Sequence, residues 1–457
     1  MTAVKGRATV DMTHGSPVRL ILRFALPMLA GQLLQQVYVL SDTMITGHFI
    51  GDSAIAAIGA SVSLHDLMVN FAVGVCNGCG ILISQHYGAG HIDRLRQAAA
   101  VMLMFCALLG AVLTAVMLLG MAPLLHLLNT PESVFAQALG YARIVCGGVA
   151  VTIFYNMCAS FMRSLGNSRM PLIALVLSCV LNLVLDVLFV IVLHAGVVGT
   201  ALATLIAQGA AALASLLYIL RMLKPCLPER EDFRAPRAVW LSMASSSLSM
   251  GLMSSVHTFG TVAMQGAING LGELAMTANT SARRILSLAS APMNNLGMAS
   301  AVFISQNYGA HRFDRVRAGL RRALAMVSVW AIGATAVVFV AGRQLMSLLI
   351  GTTNPVILEY GAMIMRVSAA LFLPLAFLLV TRQAMQSMGM HIAPVVSSSM
   401  ELTIKVTAAY WVVPRFGVAG VSWVEPSSWV VCCAFLSVVY LVQRRRVLHM
   451  DESGGRT

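Results

Sequence analysis

Five carboxylates stand out because each lies within a long apolar stretch of the chain. They are Asp42, Asp66, Asp186, Glu401 and Glu425. An ionised group is costly to keep in such surroundings, so each carboxylate is by default a candidate for function.

Two of these carboxylates have polar neighbours at helical spacing. Tyr38 and Gln35 precede Asp42 by four and seven residues, and Asn182 precedes Asp186 by four. Each group therefore shares one face of a helix. If the two carboxylates meet away from water, they should not both ionise, and one proton would be shared between them. Their oxygens are also hard ligands that suit a sodium ion.

The elements that carry these residues follow from composition. The chain has 457 residues, of which 58% are hydrophobic and only 10% are charged. Soluble domains carry about 25% charged residues. This composition excludes an ordinary soluble enzyme, a disordered protein and a secreted disulfide scaffold. It indicates a polytopic membrane protein built from helices, since the alternation typical of a membrane barrel is absent.

Apolar segments of spanning length recur along the chain and predict twelve transmembrane helices. We expect an all-α membrane protein in which these spans form two six-helix bundles around a central cleft. The predicted spans begin near Val18, Ser53, Leu95, Glu132, Pro171, Val197, Val239, Glu273, Val316, Pro355, Ile392 and Val418.

Basic residues predict how the spans are oriented. Most of the 30 Lys and Arg residues fall in the terminal segments and in alternate loops, whereas the opposite side has only Arg343 and Arg415. By the positive-inside rule both termini are cytoplasmic, in the inner membrane of the cell. The first and fifth spans then both run outward, so Asp42 and Asp186 can share a depth. The same bias accounts for the net charge of +13 without a nucleic-acid partner.

An internal repeat divides the chain. Residues 83–96 and 304–317 are identical at nine of fourteen positions, an offset of 221 that also relates Gly51 to Gly272 and Gly196 to Gly417. Each copy holds six spans, so the copies are parallel repeats, and rocking of one bundle on the other would give alternating access. The predicted parts are a cytoplasmic segment (1–17), an N-terminal bundle (18–221), a linker (222–237), a C-terminal bundle (238–443) and a cytoplasmic tail (444–457).

Several motifs now resemble a known family. Phe24-Ala-Leu-Pro27, then Tyr38 and Ser41-Asp42, then the Gln85-x-Tyr87-Gly88-Ala89 loop with its second copy, look like the multidrug and toxic compound extrusion (MATE) family. The resemblance covers nearly the whole chain. It implies an efflux antiporter that exchanges small, often cationic or amphipathic compounds for protons or sodium ions. It implies no cofactor besides the coupling ion.

The resemblance also implies site residues. Asp42, Asn182, Asp186 and Thr204 match the branch that couples to a cation in the N-terminal bundle, and they supply two carboxylates, an amide and a hydroxyl. Asn156 matches a family position that lines a cavity in the same bundle, and Gln35, Tyr38 and Gln208 are expected to contact substrate with it, although hydrogen bonding between helices is the alternative. Pro27 matches a proline linked to bending of the first helix, although a static kink is an equal alternative.

Other ionisable residues give weaker expectations. Glu401 and Lys405, four residues apart, should form an internal ion pair. Glu425 is expected to pair with Arg366 or Arg284. Asp66 next to His65 has no assigned role. The span positions that are acidic in the other main branch of the family are not acidic here, so no cation site is expected in the C-terminal bundle.

Two alternatives remain open. A flippase for lipid-linked glycans would line its cleft with cations, for which Arg143, Arg283 and Arg284 are candidates. A membrane-embedded enzyme would need a catalytic or metal-binding cluster in a span, and no such motif is present. The Cys76-x-x-Cys79 pair lacks the second pair that a metal site needs. We expect a monomer that contacts small-molecule substrates and membrane lipid.

Overall fold

The computed structural model describes residues 9–50, 52–127, 132–351 and 354–449. Parts of the predicted terminal segments (1–8 and 450–457), and Gly51 of the repeat, lie outside these residues. The described residues are helical, with no β-strand among them. The helices are α1 Pro17–Phe49, α2 Asp52–Ala89, α3 Ile92–Leu127, α4 Glu132–Gly147, α5 Val149–Ser164, α6 Arg169–Asp186, α7 Gly196–Met222, α8 Arg237–Asn269, α9 Glu273–Gly309, α10 Phe313–Ile350, α11 Pro355–Ala370, α12 Phe372–Ser387, α13 Ile392–Trp411 and α14 Val413–His449.

These helices confirm the all-α membrane fold. Each predicted span begins within five residues of a helix start. Two predicted spans are each bent pairs: α4 meets α5 at 41°, and α11 meets α12 at 54°. In the described part of the chain, seven helices are long and apolar enough to cross a membrane, or nine spans if each bent pair counts as one. The helices α8, α9 and α13 do not meet that test, because they carry many of the polar residues considered below.

The two halves of the chain share unusual backbone conformations at equivalent positions, as they share sequence. Gly90, directly after α2, and His311, two residues after α9, have φ of 72° and 54°. The glycines that begin α7 and interrupt α14, Gly196 and Gly417, have φ of 59° and 56°. The two bent pairs also occupy equivalent places in the two copies. The duplication therefore extends to unusual backbone conformations, which the chain must adopt at the same points in both copies.

The chain forms two compact units whose bounds differ from the predicted bundles. The first unit contains Pro27–Gly251 with the described residues up to Asp11, and the second contains Met12–Leu26 and the chain from Leu252 onward. The division thus falls inside α1 and inside α8 rather than in the linker between the two halves.

Local contacts explain why the beginnings of α1 and α8 belong to a different unit from the rest of each helix. In the second unit, the backbone N–H of Met12 donates to Gln306 Oε1 at 2.8 Å, and Asn307 donates to the Met12 carbonyl at 3.1 Å. In the first unit, the Ser246 hydroxyl donates to the Gly78 carbonyl at 2.8 Å. Buried backbone groups need such partners, so these bonds hold the segment before α1 and the N-terminal third of α8 on the unit that supplies them.

Candidate functional site

The polar face of α6 positions two of the predicted site residues. Asn182 and Asp186 lie one turn apart and are 2% and 1% exposed. Directly after Asp186 the helix widens into a π-helical stretch, Val187–Val192, in which the Leu193 N–H bonds to the Leu188 carbonyl. Such π stretches occur often at functional sites, because they offset the register of the side chains on either side.

The helices α1 and α7 bring the other two residues to the same place. The carboxyl groups of Asp42 and Asp186 lie within hydrogen-bonding reach of each other. One turn before Asp42, the Tyr38 hydroxyl lies 3.5 Å from the Thr204 hydroxyl. The four residues of the predicted cation site therefore come together from three helices of the first unit.

Asn182 links the carboxylate of α6 to the hydroxyl of α7. In the amide orientation that satisfies both of its ends, the nitrogen donates to Asp186 Oδ2 at 2.6 Å. Its oxygen then accepts from the backbone N–H of Thr204 at 3.0 Å and from the Thr204 hydroxyl at 3.3 Å. The amide orientation is thus set by its hydrogen bonds, which is how such an assignment is made.

The carboxylates of Asp42 and Asp186 each have one unsatisfied oxygen. Within the described structure, Asp42 Oδ1 and Asp186 Oδ1 are buried and have no hydrogen-bond partner. Buried polar atoms of this kind are costly, and two carboxylates in contact repel each other when both are ionised. A proton or a small hard cation would relieve both costs, so the donor set fits either ion.

The residues predicted to line a substrate cavity divide into two groups. The Asn156 side chain donates to the Thr152 carbonyl at 2.9 Å, and the Thr152 hydroxyl donates to Gln208 Oε1. Asn156 on α5 and Gln208 on α7 are therefore joined through Thr152, which lies one turn before Asn156 on α5. Tyr38 belongs instead to the carboxylate cluster, and Gln35 is exposed on α1.

The sequence reasoning missed two residues of this region. Thr152 is one. The other is Tyr141 on α4, which lies near enough to Asp42 and Asp186 to interact electrostatically with both. A tyrosine inside an apolar span was the available signal, since buried hydroxyls need a partner. Tyr141 is far from both aspartates in the sequence, so no spacing pattern related it to them.

In the second unit, a charged cluster contains the expected ion pair and one unexpected partner. Lys405 Nζ lies 2.9 Å from Glu401 Oε1, which confirms the predicted pair, and 3.1 Å from Glu425 Oε1. The prediction for Glu425 is wrong: its bidentate partner is Arg283, with both nitrogen–oxygen distances 3.1 Å. The predicted partners Arg284 and Arg366 are exposed. Adjacent positions on a helix point about 100° apart, so only one of the two neighbouring arginines can face α14.

Two further arrangements lie apart from these clusters. His65 Nδ1 is 3.6 Å from Asp66 Oδ1, and the Asp66 side chain is 56% exposed. Cys76 and Cys79 are buried, with Cys79 Sγ 3.1 Å from the Ser247 hydroxyl. Among the described residues, no group of three or more His, Cys, Asp or Glu side chains could hold a metal ion.

An open cavity of about 1140 Å³ lies in the second unit, away from the predicted site. Its walls come from α9, α10 and the beginning of α1, and they are apolar apart from Arg322. None of the nine predicted site residues lines it. Its shape therefore adds nothing to the coupling chemistry of the first unit.

The fold and the buried carboxylate cluster define a class: multi-pass helical membrane proteins of the transporter type. A family model described as MatE matches residues 27–188 and 249–411, one range in each half and most of the chain in total. The chain therefore belongs to the MatE family of multidrug and toxic compound extrusion transporters, whose members are transporters and not enzymes. The matched ranges begin close to the points where the two compact units divide α1 and α8.

Individual relatives agree with this membership. Probable multidrug resistance protein YoeA of Bacillus subtilis (strain 168) is 29% identical over 338 residues, which cover 71% of this chain and 72% of that protein. Multidrug export protein MepA of Staphylococcus aureus (strain NCTC 8325 / PS 47) is 21% identical over 450 residues, covering 96% and 97%. The crystal structure of MATE in the bent conformation aligns with a TM-score of 0.88 at 22% identity, covering 97% of this chain and 98% of that one. That last likeness concerns the fold alone.

Proposed function

We propose that this transporter exports small cationic or amphipathic compounds in exchange for protons or sodium ions. The names of similar proteins, which describe multidrug resistance and multidrug export, support the substrate class. One observation carries the coupling: the carboxyl groups of Asp42 and Asp186 lie within hydrogen-bonding reach of each other, and each keeps one buried oxygen without a partner among the described residues.

The coupling step follows from charge. When neither ion is bound, the paired carboxylates repel and favour a cationic compound nearby. When a proton or sodium ion binds, it neutralises the pair and removes that attraction, so the compound is released. Asn182 and Thr204 supply the remaining oxygens and hold Asp186 in place through their hydrogen bonds. Ion and substrate thereby compete for the same negative charge, which is what exchange requires.

The helix α1 connects this step to a conformational change. It carries Asp42, and it also carries Pro27, where the chain passes from the second compact unit to the first. A proline inside a helix removes one backbone hydrogen bond and leaves a weak point. A change of charge at Asp42 is therefore transmitted along the same helix to that weak point.

We also propose where the protein lies in the cell and that it acts as a monomer. The excess of Lys and Arg in the terminal segments and alternate loops supports an inner-membrane protein with both termini cytoplasmic. The proposed form is a monomer. A glycan flippase has less support, because the similar proteins named above are described as multidrug resistance and multidrug export proteins.

Proteoliposomes with separately imposed sodium and pH gradients test this function. Efflux of a cationic dye by the wild-type protein should follow one of the two gradients. Asp42→Asn and Asp186→Asn should abolish gradient-driven efflux, because an amide has no negative charge to neutralise and cannot take up and release a proton.

Asp93→Asn provides the matched control. It makes the same chemical change at an exposed residue in the first turn of α3, and it should leave efflux intact. Normal coupled efflux by folded Asp42→Asn and Asp186→Asn proteins would remove this site from the mechanism.

A further inference from the structure

The charged cluster of the second unit contains more positive than negative charge. Lys405 bridges the two glutamates, Arg283 binds Glu425, and Arg382 lies 3.3 Å from Glu401 Oε2. Three permanent cations thus share two carboxylates. We refer to these five residues as the C-terminal charge cluster.

The surplus positive charge cannot lie at the buried end of the cluster, which consists of Lys405 and Arg382. Lys405 is 1% exposed and Arg382 is 8% exposed, so water does little to stabilise either charge. Burying charge without a counter-charge is strongly unfavourable, so both glutamates are needed there. The uncompensated positive charge therefore falls on the open end of the cluster.

That open end consists of Arg283 and His257. The Arg283 side chain is 31% exposed, and the His257 ring is 60% exposed with Nδ1 3.4 Å from Glu401 Oε1. In the described part of this unit, the remaining acids are Glu273, Asp314 and Glu359, which lie near the beginnings of α9, α10 and α11. No further carboxylate from the spans is thus placed to balance the cluster.

Arg283 has the donors to bind an external anion. A guanidinium group carries five N–H donors, and Glu425 accepts two of them. The remaining donors lie on a half-exposed group whose orientation is fixed by the bidentate contact. A fixed, planar donor set of this kind matches oxyanions with two acceptor oxygens, of which the carboxylate is the one that small amphipathic compounds commonly carry.

We propose that Arg283, at the open end of the C-terminal charge cluster, binds the carboxylate of zwitterionic or anionic amphipathic substrates. The inference rests on the proposed function as an exporter of small molecules and extends its substrate class. The proposed site lies wholly within the second unit, on the exposed side of Arg283.

A matched pair of dyes tests this assignment. The simplest rhodamine is a zwitterion with a free benzoate group, and its methyl ester is a cation of almost the same shape. Binding of each dye to the purified full-length protein is measured by fluorescence anisotropy. The wild-type protein should bind the carboxylate dye, and Arg283→Gln should weaken that binding by about tenfold or more while binding of the ester changes little.

Arg284→Gln is the control, because it removes the neighbouring exposed arginine and should leave the affinity of both dyes unchanged. If Arg283→Gln fails to fold, Arg283→Lys tests the same carboxylate-binding role. It keeps the positive charge beside Glu425 but lacks the planar guanidinium group. It should weaken binding of the carboxylate dye alone.

Three results would overturn the assignment: wild-type protein that does not bind the carboxylate dye, an Arg283 variant that binds both dyes like wild type, or one that loses both equally. A purely structural cluster would give the second or third result. Gradient-driven efflux of the ester is measured beside binding. If it persists while the assignment fails, the export function stands without the carboxylate site.

Discussion

At the scale of single residues, Thr204 connects the polar groups of the candidate cation site. Its hydroxyl lies 3.3 Å from the Asn182 amide and 3.5 Å from the Tyr38 hydroxyl. Asn182 in turn contacts Asp186, and Tyr38 precedes Asp42 by one turn. One hydroxyl thus holds both sides of the carboxylate pair in position.

Thr204→Val should weaken coupling without preventing folding, because valine has nearly the same shape but no hydroxyl. A hydrogen bond of this kind contributes about 1 kcal/mol, so the ion concentration for half-maximal efflux should rise about five- to tenfold. The measurement is dye efflux against sodium or proton concentration.

Thr200→Val is a close control for this change. Thr200 lies one turn earlier on α7, and its hydroxyl donates to the carbonyl of Val197 at 2.9 Å. It should leave the ion dependence as in wild type. Equal shifts for both variants would mean that the Thr204 hydroxyl has no specific part in ion binding.

At the scale of elements, α2 and the beginning of α8 approach each other more closely than side chains allow. A Cβ on Gly78 would lie 2.6 Å from the Ser246 carbonyl oxygen and 2.6 Å from Ser247 Cα. Ser246 and Ser247 bond to the Gly78 carbonyl and to Cys79 Sγ across this contact. The contact keeps residues 237–251 of α8 on the first unit.

Gly78→Ala should destabilise the protein, since backbone atoms cannot move aside as a side chain can. Overpacking costs about 1–3 kcal/mol, which should appear as a lower midpoint of thermal unfolding in detergent. Gly140→Ala, on α4 with nothing within 4 Å of the added Cβ, should be neutral or slightly stabilising. An unchanged midpoint for Gly78→Ala would show that α8 is not held on α2 in this way.

At the scale of the whole molecule, α1 is divided between the two compact units at Pro27. The preceding stretch, Met12–Leu26, belongs to the second unit, and the stretch with Asp42 belongs to the first. A proline at the division leaves the Arg23 carbonyl without its helical partner. Whether this position is a static kink or a hinge is a question about transport rates.

Pro27→Ala separates these alternatives. If Pro27 is a hinge, restoring the helix hydrogen bond should slow gradient-driven efflux by about tenfold or more, while equilibrium binding of the dye ester stays nearly constant. Pro123→Ala, inside α3 and within one compact unit, is the control and should leave the rate unchanged. Equal rates for wild type and Pro27→Ala would favour the static kink.

Much of the fold was predictable because spanning helices depend on a local property. A run of apolar residues of membrane length forms a helix wherever it occurs, so each span could be located from its own residues. The residues of the candidate site were also identifiable, since Asp42 and Asp186 are costly exceptions within apolar runs. Their geometry agrees with that expectation, whereas their role awaits the efflux measurements.

What the sequence by itself determined is therefore where the apolar helices begin, together with the list of polar residues that need partners. Only the tertiary structure decided which partner each residue has. The choice of Arg283 over Arg284 for Glu425, the link from Tyr141 to the aspartates, and the exchange of the beginnings of α1 and α8 depend on how helices rotate and pack. Those rotations are set by contacts between residues far apart in the chain, which no local pattern records.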